Sequence, residues 1–197
     1  MGNFILYALS ASTQLIFCIL IFYASKTDAN EAKKRLRTQF YLLALTIIAW
    51  CAGQYAYEIS NNLQYQEIVS RFGIVATVWV AFFFALFARR IIGSKDRQLL
   101  RIELLLAILA TLTGLFFDIV HTSLEAGEVV YEFNAILYSL VTLVPIFSIV
   151  NGIYGLEKYQ RRAEDRNSKK QALYVARGMI ATTVLALLGN YVFSLVG

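Results

Sequence analysis

Proline and histidine each occur once in 197 residues, cysteine and methionine twice each, and charged residues make up only 16%. A soluble domain carries nearer a quarter charged residues. One histidine excludes bis-histidine haem ligation, and Cys18 and Cys51 stand alone, with neither a CxxC spacing nor a histidine companion. A Ser-His-Asp arrangement, a glycine-rich phosphate loop and a zinc-protease HExxH are all missing. Every lysine falls in a connection between apolar blocks, so none stands at mid-membrane to carry a retinal Schiff base. The paired deep acids of proton-coupled transporters and a repeat between the two halves are missing too. The chain is therefore expected to have no catalytic site, no metal and no cofactor.

What fills the chain instead is apolar, at 58%. The apolar residues fall in six blocks of about 20 to 25, each long enough to cross a hydrocarbon core of roughly 30 Å as a helix. The spans are expected at about Phe4–Ser25, Gln39–Ser60, Phe72–Ile92, Leu99–Val120, Phe133–Leu156 and Ala172–Val196. The connections are too short for a soluble domain. The fold class expected is an all-α polytopic membrane bundle, one transmembrane domain over residues 1–197.

Every Lys and Arg except Arg71 lies in or beside the first, third or fifth connection. By the positive-inside rule that side faces the cytoplasm, and the amino terminus lies outside. The outer side sets Arg71 against Glu58, Glu67, Asp118, Glu125, Glu128 and Glu132. The net charge of +5 thus reflects topology and attraction to anionic membrane lipids, and a nucleic-acid partner is not called for. The start Met1-Gly2-Asn3 has no basic stretch ahead of the first apolar block, which fits an uncleaved anchor. Leu6 stands where a myristoylation signal wants Ser or Thr.

Small residues recur at helical spacing: Ala49 and Gly53; Ala110, Gly114 and Asp118; Gly178, Thr182, Ala186 and Asn190. Such stripes let membrane helices approach closely, and packing is preferred here over a signalling role. Gln14 is expected to act as glue within the first span, and Pro145 to kink the fifth. The chemistry that remains gathers at the outer mouth. Arg71 opens the third span, Glu58 ends the second, and Asp118 and His121 close the fourth. Tyr55 and Tyr138 lie nearby and Trp79 deeper. These seven form the candidate ligand site. Two bland readings compete with it, a clasp between helix ends and an interfacial aromatic belt.

The run Trp50-Cys51-Ala52-Gly53-Gln54-Tyr55-Ala56-Tyr57-Glu58, the Arg71-Phe72-Gly73 start of the third span, and Asp118 with His121 carry a family resemblance. So do Gly152, Tyr154, the basic Arg161 and Arg162, Gly178 and Asn190. The pattern resembles the amino-terminal seven-helix sensor region of bacterial sensor histidine kinases over nearly the whole chain. Thr77 and Val78 stand where that family often has proline. The resemblance implies a multi-pass protein of the bacterial inner membrane that binds an external or membrane-dissolved small-molecule signal. It also implies a seventh helix beyond Gly197, a cytoplasmic output domain and a homodimer. On this reading the chain is a fragment cut after its sixth helix. Two other classes stand beside it: a small polytopic scaffold or subunit, and, less favoured because polar residues cluster at one mouth, a transporter.

Overall fold

The computed structural model describes residues 31–59, 62–94, 96–125, 128–167, 169–170, 172–178 and 180. Within them run four long helices, α1 (Glu31–Ile59), α2 (Leu63–Ile92), α3 (Arg97–Phe116) and α4 (Ala135–Arg162). A hairpin of β1 (Val120–Glu125) and β2 (Glu128–Phe133) joins α3 to α4. Three of these helices, α2, α3 and α4, are long and apolar enough to cross a membrane. The expected first span, all but residues 172–178 and 180 of the sixth, and with them Gln14, Cys18 and Asn190, lie outside the described residues.

Side-chain caps set the helix starts. Asn62 Oδ1 accepts from the backbone N–H of Gln64 and Tyr65, Asp96 Oδ1 from Leu99 and Asn134 Oδ1 from Leu137. Each satisfies donors that a helix start leaves open. The Asn62 cap accounts for the first departure from expectation: α2 begins at Leu63, not near Phe72, because a polar stretch holding the i,i+4 pair Glu67 and Arg71 continues the apolar span as helix. At its other end Gly93, at φ 67°, takes the left-handed conformation that glycine adopts without a Cβ penalty. The Gly93 N–H donates to Arg90 O and the Ser94 N–H to Arg89 O, a Schellman closure.

The second departure is the hairpin. The fourth span was expected to run to Val120, but α3 stops at Phe116, and Phe117 is already extended. Val120, Thr122, Val129, Val130, Tyr131 and Phe133 supply the β-branched and aromatic residues that favour strands. The strands pair antiparallel from Val120 opposite Phe133 to Glu125 opposite Glu128. A two-stranded sheet keeps open edges, which hydrocarbon does not tolerate, so this hairpin belongs outside the apolar layer.

The centre of the bundle is α2, which packs against α1, α3, α4 and β1. In its most apolar stretch 44% is buried, against 22% in α3 and in α4, so among the described residues α2 is the internal helix and the other two present wide apolar faces away from it. Ile102, Leu105, Leu109 and Leu112 on α3, and Leu140, Leu143, Ile146 and Val150 on α4, are exposed. A surface this apolar suits lipid, not water. Beneath it, Val78, Phe82, Ala107, Ala110, Ile119, Val120 and Val141 form a core joining α2, α3, the hairpin base and α4. From α1, Leu43, Ala44 and Cys51 are buried, and Phe40 meets Phe87 of α2. The expected packing stripe holds for Ala110 and Gly114, which are buried, whereas Ala49 and Gly178 are exposed. Pro145 is buried, and α4 runs on through it to Arg162.

Candidate functional site

At the end of the bundle that carries the hairpin, Arg71 projects from the third turn of α2 toward the corner where α3 gives way to β1. Its Nη2 lies 2.6 Å from Glu67 Oε1 and 2.7 Å from Asp118 Oδ1. The same guanidinium donates to two backbone carbonyls of that corner, Nη1 to Phe117 O and Nη2 to Val120 O, both at 3.4 Å. A guanidinium offers five N–H groups in a fixed fork and stays protonated, so one side chain can serve carboxylates and carbonyls together. Phe117 lies just past the end of α3, where its carbonyl also accepts from the Ile119 N–H, and Val120 opens β1. Arg71 therefore staples the corner to α2.

The burial is uneven. The Arg71 side chain is 16% exposed and Glu67 22%, but Asp118 is 89% exposed. Water screens the Arg71–Asp118 pair strongly, and an exposed pair contributes on the order of 1 kcal/mol or less. The contacts with Glu67 and the Val120 carbonyl are better sheltered, whereas Phe117 is exposed. His121 Nδ1 stands 3.7 Å from Glu67 Oε2, beyond hydrogen-bond reach, with its own side chain 68% exposed. The cluster thus joins one permanent cation to two carboxylates beside an exposed imidazole. It can hold a polar group at the mouth, a cation on the carboxylates or an acceptor on the guanidinium. Among the described residues, no group of three or more His, Cys, Asp or Glu could hold a metal ion.

The structure brings together Arg71, Asp118 and His121: Asp118 meets Arg71 directly, and His121 stands beside Glu67, the other partner of Arg71. Trp79 lies two turns deeper, where its Nε1 donates to Thr111 Oγ1 at 3.0 Å and its ring meets Phe82 and Phe83. It is part of the α2–α3 packing and does not border the mouth. Tyr138 stands at the start of α4 with its ring 4.9 Å from Phe133, a contact between helix and hairpin. Tyr55 is exposed on α1. Glu58 belongs to the last turn of α1, and its side chain lies outside the described residues.

Sequence reasoning missed a second polar centre at the opposite end. Glu103 of α3 is fully buried, and its Oε1 lies 2.6 Å from Arg89 Nη2 of α2. Asn151 Nδ2 of α4 donates to the same oxygen at 3.4 Å. Three helices therefore meet on one carboxylate. The signal was present in the small-residue stripe: the buried face of α3 is Glu103, Ala107, Ala110 and Gly114, so continuing the Ala110–Gly114 stripe toward the helix start reaches Glu103.

The two centres share one frame. Arg71 and Arg89 are about five helical turns apart, ~27 Å along one face of α2. Between them lie the contact of Trp79 with Thr111 and the close approach of Val75 to Gly114. These contacts follow one antiparallel register, so α2 and α3 are fastened by charge at both ends and by small-residue packing and an indole hydrogen bond between. No protein-family model, curated protein or solved structure matches the chain.

Proposed function

We propose that this chain is the membrane-embedded signal-receiving region of a sensor histidine kinase or a related receptor. In this reading six helices cross the bacterial inner membrane with the amino terminus outside. An external or membrane-dissolved small molecule engages the mouth around Arg71, and a cytoplasmic output domain, in a homodimer, responds to a shift of the inner helix ends. The observation that carries the proposal is the fastening of α2 to the α3–β1 corner through Arg71, continued in register down to Arg89 and Glu103. A ligand that competes for the guanidinium loosens one end of a stiff helix pair whose other end lies at the basic face.

Energetics limits what such a ligand must do. It shifts a population only if it binds one packing better than the other, and moving a balance from 1:99 to 99:1 takes about 5.5 kcal/mol of preference. The exposed Asp118 contact supplies too little alone. The ligand must also draw on the sheltered contacts of Arg71 with Glu67 and the Val120 carbonyl.

In the intact receptor, Arg71→Ala is expected to lower signal-dependent output per folded molecule about tenfold, corresponding to about 1.4 kcal/mol of lost preference. Asp118→Ala should lower it only about two- to threefold, because its side chain is 89% exposed. Output measured against the amount of folded receptor separates the two roles. A loss that merely tracks the folded amount marks a structural clasp, and wild-type output from both variants removes the site.

Orientation has its own check. Glu132 is exposed on β2, so Glu132→Cys should react with a membrane-impermeant thiol reagent on intact cells. Labelling only after permeabilisation would turn the topology over.

A further inference from the structure

The basic end of the bundle holds a cavity of about 450 Å³ between the end of α2, the start of α3 and the last turns of α4. That is within the ~300–1,000 Å³ typical of small-molecule sites. Arg89 and Asn151 line it beside the buried carboxylate of Glu103, and Lys158 and Arg162 line it from α4. Asn151, Gly155, Lys158 and Arg162 fall at helical spacing on one face of α4, so all look into the same space. The lining thus holds Arg89, which is paired with Glu103, and two further cations, Lys158 and Arg162, against one carboxylate, Asp96, one of whose oxygens already caps α3. Arg89 satisfies Glu103 through Nη2, but its Nη1 is buried without a partner among the described residues. A buried charged donor left open is costly unless a ligand meets it. Ile92 and Leu99 supply apolar wall, and Tyr154 and Tyr159 supply rings of the kind that gather at membrane interfaces.

We propose that this cavity binds an anionic phosphate group, with Lys158 and Arg162 at its rim and Arg89 on its floor. The phosphate oxygens accept from the two guanidinium groups and the ammonium, the pattern these side chains suit best. The same chemistry is offered by the head group of an anionic phospholipid and by a soluble phosphorylated compound. The site is independent of the mouth around Arg71, at the other end of α2.

The test uses the purified whole chain in neutral detergent, with thermal unfolding followed on addition of phosphatidylglycerol, phosphatidylcholine or inorganic phosphate. Phosphatidylglycerol should stabilise the wild type, and Lys158→Gln/Arg162→Gln should raise the concentration needed about thirtyfold. Both residues are exposed, so the double variant should fold; Lys158→Gln alone should move the same way by about fivefold. Arg97→Gln/Arg101→Gln removes the same charge from exposed positions outside the lining and should leave the requirement within about twofold. An effect of phosphatidylglycerol alone supports the site with a lipid as its source. An equal effect of inorganic phosphate supports it with a soluble source. Stabilisation by none of the three, equal stabilisation by phosphatidylcholine, or equal losses in both double variants overturns the proposal.

Discussion

Glu103→Ala is expected to destabilise the bundle by about 3–5 kcal/mol, the range for removing one partner of a buried ion pair. The carboxylate is fully buried, and the Arg89 side chain opposite it is only 11% exposed. Truncation therefore strands a guanidinium that cannot shed its proton and deprives Asn151 of its acceptor. The cost comes from that stranded charge more than from the lost attraction, so the two partners should couple strongly. Arg89→Leu/Glu103→Leu should recover most of the loss and unfold close to the wild type, because a well-packed apolar pair often replaces a buried ion pair without penalty. Glu103→Gln keeps the shape and a hydrogen bond to the arginine and should fall between. Thermal unfolding in detergent micelles, with the monodisperse fraction measured alongside, reads all three. A Glu103→Ala loss below about 1 kcal/mol, the scale of an exposed pair, would show that the burial carries little.

The charge at the mouth was legible in the sequence for a physical reason. Arg71 and Asp118 are isolated charges at the edges of long apolar blocks, and helices of similar length lying side by side bring such edges together. Glu103 was hidden by its neighbours. Two residues after Arg101, it reads as part of the basic connection, and only the helical face it shares with Ala107, Ala110 and Gly114 reveals that it points inward. Of the six expected spans, the third, fourth and fifth were equally legible, as α2, α3 and α4, since apolar length is a strong signal. Their ends were not, because caps decide them: Asn62 extends α2 well ahead of its apolar part. The hairpin escaped because its strands have only six residues each, and a polar stretch between two spans reads first as a loop. Its pairing depends on Val120 and Phe133 meeting across the strands, a contact that no local pattern states.

A close approach between α2 and α3, at Gly114, supplies the second large effect. A Cβ added at Gly114 would meet Val75 Cγ2 at 2.8 Å, inside any normal contact. Val75 cannot easily yield: it is β-branched, with χ1 nearly fixed in a helix, and it sits on the buried face of α2. Gly114→Ala should therefore force the helices apart and cost about 1–3 kcal/mol, the range for overpacking a tight core. Gly155 offers a control. There a Cβ would meet Ile92 Cδ1 at 2.9 Å, but that methyl ends a longer side chain and can rotate away, so Gly155→Ala should cost less than Gly114→Ala. Adding Val75→Ala should rescue Gly114→Ala and not Gly155→Ala, a coupling that a double-mutant cycle measures directly. The functional consequence follows from position. Gly114 lies about one turn from the corner that Arg71 staples, so widening the gap there must also strain the 2.7 Å contact of Arg71 with Asp118. Gly114→Ala should then lower signal response as Arg71→Ala does, and the two together should do less than the sum of their separate effects. Fully additive losses would mean that the packing of α2 on α3 and the mouth cluster act through different parts of the molecule.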